Sequence, residues 1–489
     1  MRNIHFEDYK PAPVSLLTPA LMKKENPEIK CKLNEKAQKL EEVLKSFGIN
    51  ARVVDIQHGP SFTRFELIVE RGTRLSRLSH LQDEIMLELA VYSLRIEAPV
   101  PGKSTVGIEI PNDERGRVSL KELIDSDEFR DSSPLTVPVG KDVSWEPIYC
   151  DIAKMPNLLI AGTVASGKSM WIYSMLMSIF VHSSPEDVRM ILIDTRIVEL
   201  SIFNGIPHLI RPVITDVKIA VCTLKWTINE MMRRYRLFEA AGVRDIRQYN
   251  VKHINDPQAE HLPCILVVID EFAELMCYAS KEVAACISRL AVMGRAAGIH
   301  MVIATQHPSV QVITGDIKAY IGSRIAFAVT SGVDSRTIID CIGAEKLVGM
   351  GDMLYYPLIA PSPVRNQGAS VSESDIESVI DYLKNTYGPM YDEQAIKEMD
   401  CMADSDLAEV PNGRSSNEED LFNLAVEMVL ETGSASVSVL QRMLDIGYPR
   451  AAHLIDELEK EGIIGPYEGS KPRCVLITRE EWNKRKGNG

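Results

Sequence analysis

The sequence has no apolar run long enough to cross a membrane. Its longest run, Met170 to Val181, is interrupted by Tyr173, Ser174 and Ser178 and is about half the roughly 20 residues that a membrane helix needs. The first residues, MRNIHFEDYKPAPV, carry acidic residues and proline where a signal peptide has an apolar segment. We therefore expect no transmembrane segment and a cytoplasmic protein.

Paired cysteines and an excess of basic residues are also missing. Nine cysteines are scattered from Cys31 to Cys474 without a C-x-x-C pair, which disfavours both a disulfide framework and a zinc site. The formal net charge is −14, whereas a protein that binds nucleic acid over its whole surface is usually basic. If DNA is a partner, its basic contacts must lie in a groove, a pore or a small module.

The 489 residues leave room for several domains. After an N-terminal extension (1–34), residues 35–115 read as a small α/β domain. In residues 116–391 the apolar runs NLLIAG, MILID, ILVVID, MVIAT and RIAFAV alternate with helical patterns, which predicts a parallel sheet with helices on both faces. Residues 392–417 read as an acidic flexible linker. Residues 418–489 read as three short helices and a β pair, the order of a winged helix-turn-helix.

The stretch AGTVASGKSM follows the first of these apolar runs and has the spacing G-x-x-x-x-G-K-S. Glycines let backbone N–H groups approach a phosphate, and the following helix presents its positive end to the anion. Lys168 would bridge the β- and γ-phosphates of ATP, and Ser169 would bind Mg²⁺. The predicted nucleotide-binding residues are Gly162, Thr163, Val164, Ala165, Ser166, Gly167, Lys168, Ser169 and Met170. A chance match in a glycine loop is the competing interpretation.

A second motif argues against a chance match of the glycine loop. The apolar strand ILVVID ends in Asp270-Glu271, where Asp270 can hold Mg²⁺ through water and Glu271 can orient an attacking water. Alone, this pair would usually be only the start of a helix. Gln306, at the tip of MVIATQ, is either a γ-phosphate sensor or a loop cap. Arg295, Arg324 and Arg336 are salt-bridge residues or arginine fingers for a neighbouring subunit.

In the C-terminal segment the second helix of the helix-turn-helix should be YPRAAHLIDELEKEG. The plausible DNA contacts in this helix and in the wing are Tyr448, Arg450, His453, Lys471 and Arg473. Four acidic residues crowd the end of the same helix. A winged helix that docks on a protein is therefore the alternative to one that reads DNA.

The chain resembles the FtsK/SpoIIIE family of double-stranded DNA translocases over nearly all its length. The resemblance is carried by APVPGKSTVGIEIPN, VELSIFNGIPHLIRPVITD, VVIDEFAEL, RAAGIHMVIATQHPSVQVITGDIKA and SRTIIDCIGAEKLVGMGDMLY, with IGYPRAAHLIDELEKEGIIGPYEGSKPR as an independent block.

This resemblance implies an α domain, a RecA-like β motor domain and a γ winged helix, with a homohexameric ring around duplex DNA. It implies an ATPase that needs Mg²⁺ and a role in chromosome partition at cell division or in mobile-element transfer. Lys168, Ser169, Asp270, Glu271 and Gln306 would form the hydrolysis site, and Arg295 would act in trans. A recombinase is a possible partner of the winged helix, and the membrane segment of larger relatives is not in this sequence.

The chain departs from the family pattern at several positions. Val164-Ala165 stands where relatives have Thr-Gly, and Thr195-Arg196 where they have Pro-Lys. Pro449 and His453 stand where relatives usually have Asn and Arg in the recognition helix. We expect altered rates rather than an inactive site. Two alternatives stay open: a DNA-transfer coupling ATPase, and a DNA-binding regulator that uses ATP as a switch.

Overall fold

The computed structural model describes residues 9–19, 27–256 and 259–409. In the C-terminal part it describes residues 425–426, 428–430, 434–436, 454–455, 457–465, 473–478 and 482. The chain divides into two compact units, Met1–Asp400 and Cys401–Gly489. In the described part of the chain, no helix is both long and apolar enough to cross a membrane.

The first unit begins with a small α/β layer. Helix α1 packs on a four-stranded antiparallel sheet of order β1-β2-β4-β3, and their shared core includes Leu40, Leu44, Phe65 and Ile108. Helix α1 starts eight residues before the predicted domain boundary at residue 35. The elements are α1 (Pro27–Ser46), β1 (Ala51–His58), β2 (Phe62–Val69), α2 (Leu75–His80), α3 (Gln82–Leu89), β3 (Arg95–Glu97) and β4 (Val106–Pro111).

The centre of the unit is a nine-stranded sheet of order β6-β5-β13-β12-β11-β7-β10-β9-β8. Strands β11, β7, β10, β9 and β8 are mutually parallel. They arise from the five apolar runs, so the predicted parallel sheet is confirmed there. The other four strands pair antiparallel, so the whole sheet is mixed. The strands are β5 (Thr136–Lys141), β6 (Pro147–Asp151), β7 (Asn157–Ala161), β8 (Val188–Ile193), β9 (Cys264–Ile269), β10 (Ile299–Thr305), β11 (Ser323–Phe327), β12 (Asp352–Tyr356) and β13 (Val364–Gly368).

Helices cover both faces of this sheet. Successive side chains of a strand point to opposite faces, and in β7 every one of Leu158, Leu159 and Ile160 is fully buried. Residues 9–19 add to one face, since Ala12 and Leu17 lie in the same core cluster as Phe180. The helices are α4 (Leu120–Ile124), α5 (Asp127–Arg130), α6 (Lys168–His182), α7 (Val217–Ala241), α8 (Ile246–Lys252), α9 (Phe272–Ala297), α10 (Gly315–Tyr320), α11 (Gly332–Ile339), α12 (Glu373–Thr386) and α13 (Glu393–Glu409).

Helix α13 lies inside the segment that the sequence predicts to be a flexible linker. Asp392 caps it by accepting the backbone N–H groups of Gln394 and Ala395. Ala395 and Met399, one helical turn apart, are buried. A capped helix with one short apolar stripe therefore replaces the first part of the predicted linker, and residues 410–417 lie outside the described residues.

The second unit is described in part. Its buried cluster includes Val426, Val429, Leu458 and Ile463. Two short strands, β14 (Ser434–Ala435) and β15 (Arg473–Cys474), pair antiparallel. Of the predicted DNA contacts, only Arg473 is described. The other four, Tyr448, Arg450, His453 and Lys471, lie outside the described residues.

Candidate functional site: a phosphate loop facing a carboxylate pair

The loop between β7 and α6 needs glycine at both ends of its motif. Gly167 has φ of 111°, and a Cβ there would lie 2.3 Å from the backbone nitrogen of Gly351. A Cβ at Gly162 would lie 2.5 Å from the Cβ of Phe327. Any larger residue would push the loop away from its neighbours, so the two glycines set its path.

The same loop has unused hydrogen-bond donors. In the described part of the chain, the N–H groups of Val164, Ala165 and Gly167 donate to no protein acceptor. The first N–H groups of α6 have no intrahelical acceptor either, because no helical turn precedes them. Ser166 Oγ is buried without a hydrogen bond. These free N–H groups lie at the N-terminus of a helix, beside a buried hydroxyl that has no hydrogen-bond partner. Such an arrangement fits a bound phosphate group.

Lys168 is held on the predicted carboxylate pair. Its Nζ lies 2.6 Å from Asp270 Oδ1 and 2.9 Å from the Asp270 carbonyl oxygen. Arg196 donates to the other oxygen, with Nη2 2.9 Å from Asp270 Oδ2. Both carboxylate oxygens of Asp270 are therefore occupied by cationic donors in the free protein.

Glu271 caps helix α9 and is almost fully buried. Its carboxylate accepts from Thr305 Oγ1 at 2.6 Å and from the Gln306 backbone N–H at 3.0 Å. Arg196 Nη1 lies 3.7 Å away. Strand β10 lies between β7 and β9, so it brings Thr305 and Gln306 to the edge that carries Lys168 and Asp270. The structure thus brings together Lys168, Ser169, Asp270, Glu271 and Gln306.

Two charged residues to which the sequence alone assigns no role also lie at this edge. Arg196 contacts Asp270, and Glu199 Oε1 accepts from Ser169 Oγ at 2.9 Å. Both follow β8, the strand next to β9. Their position directly after the apolar run MILID was the available signal, because carboxyl ends of parallel strands meet at one edge.

Strained backbone surrounds the loop. Ala165, Ile197 and Met350 have φ of 62°, 59° and 52°, a region that residues with a side chain rarely adopt. Ala165 stands at one of the two positions where relatives have Thr-Gly, and its φ suits glycine better. Such outliers cluster at ligand sites, which supports this edge as the functional one.

The three candidate finger arginines have different surroundings. Arg324 is largely buried and pairs with Asp340, so it takes the salt-bridge role. Arg295 and Arg336 are exposed, and neither side chain forms an ion pair within residues 27–256 and 259–409. Arg295 lies near the C-terminal end of α9, at the sheet edge opposite Lys168. It is thus too far to serve its own site.

The oxygen donors here suit Mg²⁺. The oxygens of Ser169 and Asp270 are hard ligands of the type that Mg²⁺ prefers. Among the described residues, no group of three His, Cys, Asp or Glu side chains is arranged to hold a metal alone. Mg²⁺ usually takes one or two carboxylates together with substrate phosphates, so the residues fit a metal that enters with a nucleotide.

The family comparison agrees with this geometry. Residues 119–310 match the FtsK/SpoIIIE family, residues 12–112 the FtsK alpha domain and residues 416–478 the FtsK gamma domain. The chain belongs to the FtsK/SpoIIIE family. This confirms the predicted family and, with the sheet described above, the predicted α/β fold with a P-loop ATPase-like domain.

Two curated relatives illustrate the similarity. The DNA translocase FtsK of Caldanaerobacter subterraneus subsp. tengcongensis is 50% identical over 481 residues, covering 98% of this chain and 65% of the relative. The DNA translocase SpoIIIE of Bacillus subtilis is 46% identical over 456 residues, covering 92% and 57%. The chain therefore spans about three fifths of the length of these FtsK/SpoIIIE proteins.

Among solved structures, the fold is similar to the monomer form of the pCW3 conjugation coupling protein TcpA, solved with ATPγS. The TM-score is 0.50 at 20% identity, and the match covers 71% of this chain and 99% of TcpA. At this identity the match supports the fold alone.

Proposed function

We propose that this chain is the motor part of an ATP-driven double-stranded DNA translocase. The observation that carries the proposal is the buried contact of Lys168 with Asp270 beside Glu271, at the end of a glycine loop with free donors. The family supports it, since the curated relatives carry the name DNA translocase. Nucleotide binding and ATPase activity follow from the family, and coupling to DNA is the finer part of the proposal.

Each residue of the site has a specific role in nucleotide binding or hydrolysis. Lys168, the free N–H groups of the 162–170 loop and those at the start of α6 bind the nucleotide phosphates. Ser169 and Asp270 would hold Mg²⁺, Asp270 through water. Mg²⁺ supplies charge neutralisation on the phosphate oxygens. Glu271 orients the attacking water, and Gln306 senses the γ-phosphate.

An arginine from a second copy completes the site in this proposal. Arg295 is exposed and distant from its own Lys168, which suits a finger that acts in trans. That role requires a closed oligomer, for which a homohexameric ring around duplex DNA is the arrangement proposed. A basic inner surface of the ring would reconcile DNA binding with the net charge of −14.

We also propose a division of the chain into domains and a role for its last segment. The division into 1–34, 35–115, 116–391, 392–417 and 418–489 is retained as a proposal, with α13 inside the fourth segment. The last segment is a winged helix that contacts DNA through Tyr448, Arg450, His453, Lys471 and Arg473, or a recombinase. The motor would act in the cytoplasm, in chromosome partition or in transfer of a mobile element.

A second candidate function is an ATP switch on DNA without processive movement. It is favoured by one observation: Glu271 is held by Thr305, Gln306 and Arg196 at once. An attacking water would have to displace one of these neighbours to reach the carboxylate, so slow hydrolysis would leave a long-lived bound state.

ATP hydrolysis with and without long linear duplex DNA tests the proposal. The wild type should be stimulated by DNA, more strongly as the duplex lengthens, and Lys168→Ala should abolish the activity. Lys154→Ala is the matched control, because Lys154 is exposed and, among the described residues, its side chain pairs with Asp151 three residues away. Slow hydrolysis that ignores DNA would contradict the motor and leave the switch.

A further inference from the structure

Glu199 lies on the loop that follows β8 and has no part in the mechanism proposed above. Its Oε1 accepts the hydroxyl hydrogen of Ser169 at 2.9 Å. Its Oε2 accepts from Tyr173 Oη at 2.7 Å, and the Glu199 carbonyl oxygen lies 2.9 Å from the same hydroxyl and shares its single hydrogen. One carboxylate therefore joins the first turn of α6 to the loop after β8.

The Ser169 hydroxyl needs such an acceptor if it is to bind a metal. A serine hydroxyl has one hydrogen to donate and two lone pairs. A metal ion takes a lone pair, so the hydrogen must go to another atom. In the free protein the carboxylate of Asp270 accepts from Lys168 and Arg196, whereas the Ser169 hydroxyl donates to Glu199. Glu199 is the acceptor that the structure provides.

The position of Glu199 is fixed from two sides. Asp194, which is fully buried, accepts the backbone N–H groups of Val198, Glu199 and Leu200 and so holds the loop in one conformation. Tyr173 lies one helical turn after Ser169 and therefore on the same face of α6. Burial first, and then the bond to Glu199, raise the pKa of Tyr173, which keeps its hydroxyl protonated as a donor.

We propose that Glu199 is a positioning residue for Mg²⁺. By taking the Ser169 hydrogen, it directs a lone pair of Ser169 Oγ towards the metal, and Tyr173 fixes the carboxylate for this task. Outer partners of metal ligands orient those ligands and raise metal affinity. This inference rests on the proposed nucleotide site and adds a residue to it.

Mg²⁺-dependent ADP binding tests the role without relying on hydrolysis. ADP affinity is measured by calorimetry in EDTA and across a Mg²⁺ titration, for the wild type, Glu199→Ala, Glu199→Gln and Tyr173→Phe. Glu377→Ala is the matched control, an exposed glutamate on α12. Glu199→Ala should raise the Mg²⁺ concentration for half-saturation about 10- to 100-fold, while ADP affinity in EDTA stays within about twofold of wild type.

The conservative variants separate positioning from folding. Glu199→Gln keeps an amide oxygen that accepts from Ser169, so its Mg²⁺ requirement should rise less than that of Glu199→Ala. Tyr173→Phe should fall between wild type and Glu199→Ala. An unchanged Mg²⁺ requirement in both Glu199 variants would overturn the inference, as would an equal loss of ADP affinity with and without Mg²⁺. Wild-type protein that binds no ADP would instead overturn the nucleotide site itself.

Discussion

The Lys168 ammonium and the Asp270 carboxylate lie 2.6 Å apart, with 2% and 0% of their side chains exposed. Lys168 begins α6, which follows β7, and Asp270 comes directly after β9. Strand β10 lies between β7 and β9 in the sheet. In the free protein the lysine of the phosphate loop is thus neutralised by a buried carboxylate. A nucleotide phosphate must compete with Asp270 for Lys168, so binding rearranges this pair.

The pair should show strong coupling in a double-mutant cycle. Asp270→Asn leaves the buried Lys168 without its counter-charge, which typically costs about 3–5 kcal/mol. Lys168→Met leaves Asp270 paired with Arg196 alone and should cost less. The double variant removes both charges, so its loss of unfolding free energy should be smaller than the sum of the two by about 0.5–3 kcal/mol. Urea unfolding measures all four proteins. Simple additivity would show that the two charges act independently.

Gly167→Ala should abolish nucleotide binding. The new Cβ would meet the backbone of Gly351 at 2.3 Å, in addition to the cost of φ at 111°. Gly349→Ala is the matched control, because Gly349 also has a positive φ of 78° but a Cβ added there would meet no atom within 4 Å. That control should cost only about 1–2 kcal/mol of backbone strain and retain ADP affinity. Equal effects on ADP binding would contradict the contact argument.

Glu271→Gln should separate binding from hydrolysis. The amide cannot act as a base, and loss of such a group commonly slows the reaction about 10²- to 10⁴-fold. ATP affinity should remain near wild type, because Lys168 and the loop N–H groups do the binding. Single-turnover hydrolysis and equilibrium ATP binding check the two parts. Glu274→Gln, three residues further along α9 and exposed, is the control and should hydrolyse at the wild-type rate.

His208 makes the first unit sensitive to acid. Burial lowers its pKa from 6.5 to about 4, against the opposing effect of its bond to the Ser183 carbonyl. As the pH falls, the unfolded chain binds a proton near pH 6.5 while the folded chain does not until about pH 4. The stabilisation is therefore complete above pH 6.5 and is lost between pH 6.5 and 4, by about 3 kcal/mol.

His208→Gln removes this titration. Between pH 7 and pH 4 its unfolding free energy should fall by about 3 kcal/mol less than that of the wild type. His261→Gln, at an exposed position, should follow the wild-type curve. Parallel pH profiles for the wild type and His208→Gln would contradict the assignment. His300, whose pKa burial also lowers to about 4, gives a second test in the same window.

The features that the sequence predicts correctly are those that depend on short, local motifs. The phosphate loop and the carboxylate pair depend on a short strand-loop-helix unit and on a strand end. The five parallel strands are continuous apolar runs because both faces of each are covered. Pattern alone therefore locates Lys168, Ser169, Asp270 and Glu271 at one edge of one sheet.

In the antiparallel half of the sheet, the hydrophobic pattern of the sequence does not predict the strands. Strand β13 reads VRNQG, and Arg365, Asn366 and Gln367 are buried in it. Arg365 is stabilised there by Asp352 at 2.7 Å and by Glu109 of the small α/β layer at 3.0 Å. A strand whose buried side chains are satisfied by partners far along the chain has no apolar periodicity to detect.

Tertiary contacts also decide the loop after β8. Arg196 and Glu199 acquire their roles from Asp270 and Ser169, which are distant in sequence, and from Asp194, which fixes the loop. Their position after a strand end places both residues near the site, but the run DTRIVEL alone does not show which partners they contact. The family resemblance marks Thr195-Arg196 as a departure, but only the structure shows that Arg196 lies on the carboxylate pair.

Displacement of a triplex-forming third strand from linear duplex DNA tests the central claim most directly. We expect ATP-dependent release, with a lag that grows with the distance between the loading end and the triplex, and no release by Lys168→Ala. Such a distance-dependent lag requires movement along the duplex. ATP hydrolysis that is stimulated by DNA but leaves the triplex in place would contradict translocation.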